Sequence, residues 1–264
     1  MADIWLSLAG EAPANVQSLV LDLRLPRALT AFAVGGLLAV AGVLMQALLR
    51  NPLAEPYILG TSGGAAVAAL LAMMAGLGAT FIDLAAFGGA MAATLLVFSI
   101  AQGSRTWTPT RLLLTGVVLA AGFSAASTLL LAISPTENLR GMLFWLMGDL
   151  NYSYTPARAV WLLVLVTLAG FFSARHLNVL ARGDIQASIV GLPVARFRLL
   201  VFVVASLATA VSVTSVGVIG FIGLVVPHLI RIVSGSDHRT LVPASALAGG
   251  IMLVIADTLA RTLI

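Results

Sequence analysis

Eight long apolar runs, almost free of charge, constrain this chain more than any other feature of its sequence. They cover roughly 27–49, 57–79, 84–102, 112–133, 159–173, 199–217, 218–232 and 241–260. Spanning the hydrocarbon core of a bilayer as a helix takes about 20 mostly apolar residues. In lipid every backbone polar group must be satisfied internally, which leaves only helices and closed barrels. Barrel strands alternate apolar and polar residues over about 10 positions; these runs are continuous instead. Composition agrees, with 9% charged residues against about 25% in soluble domains. The expectation is an all-α, polytopic membrane protein with about eight transmembrane helices. The fifth and seventh runs are short enough to begin in a re-entrant or interfacial turn.

Arginine sets the orientation, because positively charged loops stay in the cytoplasm. All fourteen basic residues are Arg. Arg50, Arg105, Arg111, Arg175, Arg182, Arg196, Arg198, Arg231 and Arg239 fall in one set of alternate loops. Arg24, Arg27, Arg140, Arg158 and Arg261 fall on the other side, so the first set is assigned inside. With eight spans both termini then face outward. Nothing in Met1 to Gln17 reads as a signal peptide, so a further span before Arg24 is expected. The sequence pI near 10.6 comes from Arg scattered through loops and helix ends, and implies no nucleic-acid partner.

Several chemistries lack the residues they need. There is no cysteine, hence no disulfide or thiolate metal site. Gly60-Thr61-Ser62-Gly63-Gly64 lacks the spacing and the Lys of a phosphate cradle, so no nucleotide site is read there. No ATPase motif, cofactor motif or metal-ligand set occurs, and an ATP-driven process would need a second polypeptide. An intramembrane enzyme needs paired catalytic groups, yet Asp257 and His228 stand alone on different spans. An ion-coupled secondary transporter would carry ionisable residues near mid-membrane, and these spans are almost uncharged. The small-residue pairs Gly35-Gly36, Gly63-Gly64, Gly88-Gly89 and Gly249-Gly250 read as close helix packing. His228 after Pro227 reads as a packing residue. Asp257 has an i,i+4 partner available in Arg261. Residues 134–156, with Trp145, Tyr152 and Tyr154, read as an interfacial helix and loop.

Three segments stand apart from generic membrane sequence. The first is Arg24-Leu25-Pro26-Arg27 with GVLMQALLRNPLAEPYILGTSGGAA from Gly42 to Ala66. The second is Gly183 to Pro193, and the third is GVIGFIGLVVPHLIRIVSGSDHRTLVPASALAGGIMLVIADTLAR from Gly217 to Arg261. With Trp145 to Asp149, these stretches resemble the FecCD family, the permease subunits of type II ATP-binding-cassette importers for cobalamin, haem and ferric siderophores. The resemblance runs from Arg24 to Arg261. It implies one transmembrane permease domain over 1–264, in the bacterial inner membrane. It also implies a homodimer driven by separate cytoplasmic ATPase subunits and fed by a periplasmic binding protein. Family members have ten helices, so one is expected to be missing before Arg24 and one after Arg261. A truncated, non-transporting fragment is the alternative reading.

Site residues follow from the same resemblance. Segment 174–198 is the expected cytoplasmic coupling loop, with Gly183, Asp184, Ala187, Gly191, Leu192 and Pro193 forming the contact to the ATPase. Gly183 and Gly191-Leu192-Pro193 also bracket a predicted helix of one or two turns carrying Ile185, Ile189 and Val190. Arg24, Arg27 and Arg261 are expected to meet acidic side chains of the binding protein, with membrane-interface anchoring as the other reading. Thr108 and Thr110 are gate candidates, and Thr61, Ser62 and Gly63, with Gln46, are candidates for lining the pathway.

Overall fold

The computed structural model describes residues 13–102, 108–150 and 156–263. Arg105, Tyr152, Tyr154 and most of the segment read against a signal peptide lie outside them. The described residues fold into helices in the order α1 (Ala14–Leu49), α2 (Thr61–Met74), α3 (Ala79–Gln102), α4 (Pro109–Ile133) and α5 (Thr136–Met147). There follow α6 (Ala157–Phe172), α7 (Ala174–Arg182), α8 (Asp184–Ile189), α9 (Val194–Val216), α10 (Ile222–Ser234) and α11 (His238–Leu263). Five of these, α1, α3, α4, α9 and α11, are long and apolar enough to cross a membrane.

Three of the expected spans take a more broken form. The run 57–79 opens as a 3-10 turn over Pro56–Leu59, passes Gly60 at a left-handed φ of 72°, and only then becomes α2. Fourteen residues of helix measure about 21 Å, short of the ~30 Å hydrocarbon core. The run 218–232 starts with four non-helical residues before the thirteen of α10. The run 159–173 becomes α6, which bends by 63° into α7. Small or polar residues at Gly60-Thr61 and the glycines Gly217 and Gly220 mark two of these breaks, which apolarity alone does not reveal.

Helix α1 is the core. In its most apolar window 83% of residues are buried, against 6% for α4. It is ringed by α6, α9, α10 and α11, and packs most extensively on α11. The two run antiparallel, with Gly35 against Gly249 and Phe32 against Gly250. A Cβ on Gly35 would run into the Gly249 carbonyl oxygen and lie 2.8 Å from Leu253 Cβ. Two turns further along α1, Gly42 meets the Gly223 backbone of α10 just as closely. In lipid, helices associate by such close backbone approach and dispersion, so the small-residue reading of these pairs holds. The second glycine of 88–89 packs on Gly64 of α2, whereas Gly88 faces open space.

This contrast sets a test. Gly35→Leu and Gly249→Leu should each lower the Tm of the detergent-purified protein, by the ~1–3 kcal/mol of overpacking or more. Gly88→Ala should leave Tm unchanged or raise it by the helix-propensity difference of about 1 kcal/mol. Equal effects at all three positions would contradict the packing described.

Candidate functional site

The outer end of the α1–α11 pair carries the outward arginines. Antiparallel register sets Arg27 beside Asp257. Arg27 Nε donates to Asp257 Oδ2 at 2.9 Å and Nη2 to Oδ1 at 2.5 Å. Their side chains are 15% and 13% exposed. A guanidinium forked onto a carboxylate is the strongest ordinary hydrogen-bonded pair. Asp257 therefore pairs across the helix interface with Arg27 and not along α11 with Arg261, correcting the expected i,i+4 pair. The reason is geometric: the glycine contact locks the register, whereas an exposed i,i+4 pair contributes only about 0.3–0.5 kcal/mol. Arg24 and Arg261 stand at the same end of the two helices and are exposed. The three outward arginines are thus brought together, with the fork of Arg27 already engaged.

At the opposite end, segment 174–198 forms α7, then α8, then enters α9. Gly183 at φ 123° and Gly191 at φ 84° bracket α8, as the spacing predicted. Ala187 is fully buried against its surroundings, and Leu192 N closes the turn on Ala187 O at 3.0 Å. Ile185, Ile189 and Val190 project outward, each more than 70% exposed. Asp184 opens the helix, where a carboxylate suits the positive end of the backbone dipole. It accepts from Arg198 Nη2, while Arg50 Nη2 stands 3.9 Å from its other oxygen. Arg198 is buried and Asp184 half exposed, so the pair moors α8 to α9 and to the end of α1. The loop charges were visible in the sequence; the approach of Arg50, from a distant segment, was not.

The gate and pathway candidates occupy separate places. Thr61 is fully buried, its Oγ1 3.4 Å from Thr94 Oγ1 of α3. Ser62 is half buried and Gly63 packs under Phe123 of α4. Thr108 caps α4, its hydroxyl accepting from Arg111 N at 3.3 Å, and Thr110 is exposed on the first turn. The neighbours of Gly60 on α4 are Ala120 and Phe123, three turns from Thr108. The two groups are not brought together. Residues 134–147 do include a helix, α5, with Arg140 5.6 Å above the Phe144 ring, a cation–π distance. His228 is half buried on α10, and no His, Cys, Asp and Glu group suited to a metal occurs among the described residues.

Two polar residues act as anchors, a role the sequence reading gives to neither: Glu55 is not singled out there, and Gln46 reads as a pathway candidate. Glu55 Oε1 accepts from Phe221 N at 3.1 Å, capping the start of α10 where Phe221 holds a left-handed φ of 69°. Gln46, buried in α1, donates toward Leu224 O at 3.4 Å and accepts from Arg231 Nη2 at 2.8 Å. Together they tie the 50–56 turn and the inner half of α1 to the broken helix. The signal available was the presence of Glu55 and Gln46 beside otherwise apolar runs.

Comparison with known proteins places this architecture. The profile of the FecCD transport family matches residues 1–264. The chain is 40% identical over 252 residues to the cobalamin import system permease protein BtuC of Halobacterium salinarum, covering 94% of this chain and 68% of that one. It is 41% identical over 268 residues to the vitamin B12 import system permease protein BtuC of Serratia proteamaculans, covering 98% of this chain and 78% of the relative. Among solved structures, an inward-facing putative metal-chelate type ABC transporter matches with a TM-score of 0.87 at 32% identity. That match covers 96% of this chain and 82% of the other.

The Arg27–Asp257 pair yields a double-mutant test. Arg27→Ala and Asp257→Ala should each destabilise the purified protein by about 3 kcal/mol, since each strands a part-buried charge. The double variant should fall short of the sum by about 1–3 kcal/mol. Strict additivity in thermal unfolding would mean the pair is not coupled.

Proposed function

Because this chain belongs to the FecCD transport family, we propose that it is the membrane-spanning permease subunit of an ATP-binding-cassette importer, with a cobalamin-class chelate as cargo. The observation that carries the cargo assignment is the 40–41% identity, over nearly the whole chain, to permeases named for cobalamin and vitamin B12 import. Ferric siderophores and haem are the second reading, favoured by the likeness at 32% identity to a metal-chelate type transporter. The chain performs no bond chemistry in this scheme; a separate ATPase supplies the energy.

The working unit is a homodimer in the bacterial inner membrane, with two cytoplasmic ATPase subunits below and a periplasmic binding protein above. Helix α4, with 6% of its most apolar window buried, leaves an apolar face available to a second copy. A loaded binding protein docks at the end carrying Arg24, Arg27 and Arg261. Arg24 and Arg261 are exposed there, and the charge of Arg27 is already shared with Asp257. Segment 174–198 is the coupling element. Its apolar tip at Ile185, Ile189 and Val190 suits a cleft on the ATPase, and the Asp184–Arg198 pair passes movement of α8 to α9. Thr108 and Thr110 act at the inner gate. Thr61, Ser62 and Gly63 shape the bundle beside the pathway, Thr61 through its buried contact with Thr94. Alternating access then follows from rigid movement of broken and bent elements driven from the coupling helix.

Expression in a bacterium deleted for its own vitamin B12 permease, with the partner ATPase and binding protein, tests the cargo. Uptake of labelled cobalamin should be restored. Uptake of a labelled ferric siderophore or haem alone would move the assignment to the second reading, and uptake of none would overturn import. The coupling proposal is tested by Ile185→Asp combined with Ile189→Asp. Both side chains are exposed, so Tm should change by no more than about 0.5 kcal/mol in stability. Co-purification of the ATPase should nonetheless be lost; full retention would refute the docking tip.

A further inference from the structure

The ends of α1, α7 and α10 converge with the start of α11 around an open cleft of about 530 Å³, within the ~300–1,000 Å³ of small-ligand sites. Arg50, Arg182 and Arg231 line it with Gln46, Asn178 and His238. Each arginine stands in the last turn or at the C-cap of its helix. The negative end of a helix dipole offsets about half a charge apiece, which leaves a surplus. The carboxylate on the rim, Asp237, is engaged elsewhere: it accepts from Arg239 N at 3.0 Å and from Asn178 Nδ2 at 2.8 Å. These bonds hold its carboxyl below the usual range. Arg50 approaches Asp184 only at 3.9 Å, and that carboxylate is already bound by Arg198.

Two donors or acceptors in the cleft have no such account. Arg231 gives Nη2 to Gln46, while its Nη1 is buried with no hydrogen-bond partner among the described residues. His238 is 4% exposed, and its Nδ1 faces Asn178 Oδ1 at 2.6 Å. Asn178 uses its amide NH2 on Asp237, so the imidazole proton sits on Nδ1. The other ring nitrogen, Nε2, is buried and unpartnered among the described residues. Unsatisfied polar atoms at this depth are rare and costly in native folds. Guanidinium groups arriving from three helices suit a tetrahedral anion with several acceptor oxygens. With the proton on Nδ1, Nε2 accepts from the P–OH of a soluble phosphate or from a hydroxyl of a lipid headgroup.

We propose that this cleft is a phosphate-binding site on the inner face, built by Arg50, Arg182, Arg231 and His238. The inner assignment rests on the arginine distribution, and the site does not depend on the cargo assignment. Two sources offer the same chemistry there: the phosphate of an anionic lipid headgroup, or a soluble phosphate compound.

The test is thermal unfolding of the full chain in neutral detergent, read as the shift in Tm. One arm adds inorganic phosphate against chloride at matched ionic strength. The other adds phosphatidylglycerol against phosphatidylcholine. A rise of about 2–6 °C at tenfold excess over Kd is expected in at least one arm, and the arm that responds identifies the source. Arg182→Gln, an exposed position, and Arg231→Gln should each abolish the rise, every shift being read against that variant's own baseline. No rise in either arm, or an equal rise in both variants, would overturn the site. So would a rise produced only by a co-purified ATPase and lost in Arg182→Gln, which would make the cleft a protein-docking notch.

Discussion

The close contact of α1 with its neighbours is what the rest of the structure depends on. Lipid tails are as apolar as leucine, so burying apolar side chains between membrane helices yields little by itself. What remains is dispersion, which decays steeply with separation. Gly35 on Gly249 and Gly42 on Gly223 bring backbones together at two levels of one helix. With those distances set, α11 and α10 have only one register each against α1. The polar contacts of α1 with α10 and α11 are a consequence of that register.

The polar contacts then sort to the two ends of α1. At the outer end, register brings Arg27 to Asp257; at the inner end, it brings Gln46 to Arg231 and Arg50 toward Asp184. Between them α1 is apolar apart from Thr30, whose hydroxyl donates to Pro26 O, with Gln46 the last polar residue before the turn. This distribution follows from solvent. An ion pair at mid-bilayer would carry a desolvation cost that its Coulomb attraction seldom offsets, whereas near the ends both partners retain some water. The arrangement leaves a tightly packed middle and ionic ends.

Much of this was legible in the sequence because composition and period report the solvent directly. Helical class, the positions of the apolar runs, the small-residue packing and the short helix between Gly183 and Gly191 all emerged from local patterns. Local patterns fail where a partner comes from far along the chain. Asp257 and Arg261 share a helix face, and nothing nearby reveals that Arg27, 230 residues away, competes and wins. Helix breaks are hidden for a related reason: hydropathy records whether a segment is apolar, not whether its backbone bonds are closed. Thr61 is a pathway candidate in the sequence as a polar group within an apolar run. Its burial against Thr94 depends on the register of α2 and α3, set by Gly64 and Gly89.

The breaks themselves need an explanation in a medium that tolerates no unsatisfied backbone. Irregular backbone at membrane depth persists only where protein supplies the missing partners. Before α10, Glu55 provides one by accepting from Phe221 N, and Gln46 faces the carbonyl of Leu224. Both residues belong to the α1 end and the turn that follows it, so the irregular start of α10 is held by the core helix itself. A break held by two side-chain contacts is weaker than a continuous helical ladder, in which each residue adds a bond closed within its own segment. Such a point yields before the helices on either side do. The stiff core therefore carries its own hinge. Because Arg231, on the far end of the same short helix, bonds the same Gln46, movement of α10 about that hinge is coupled to the inner end of α1 through a single side chain.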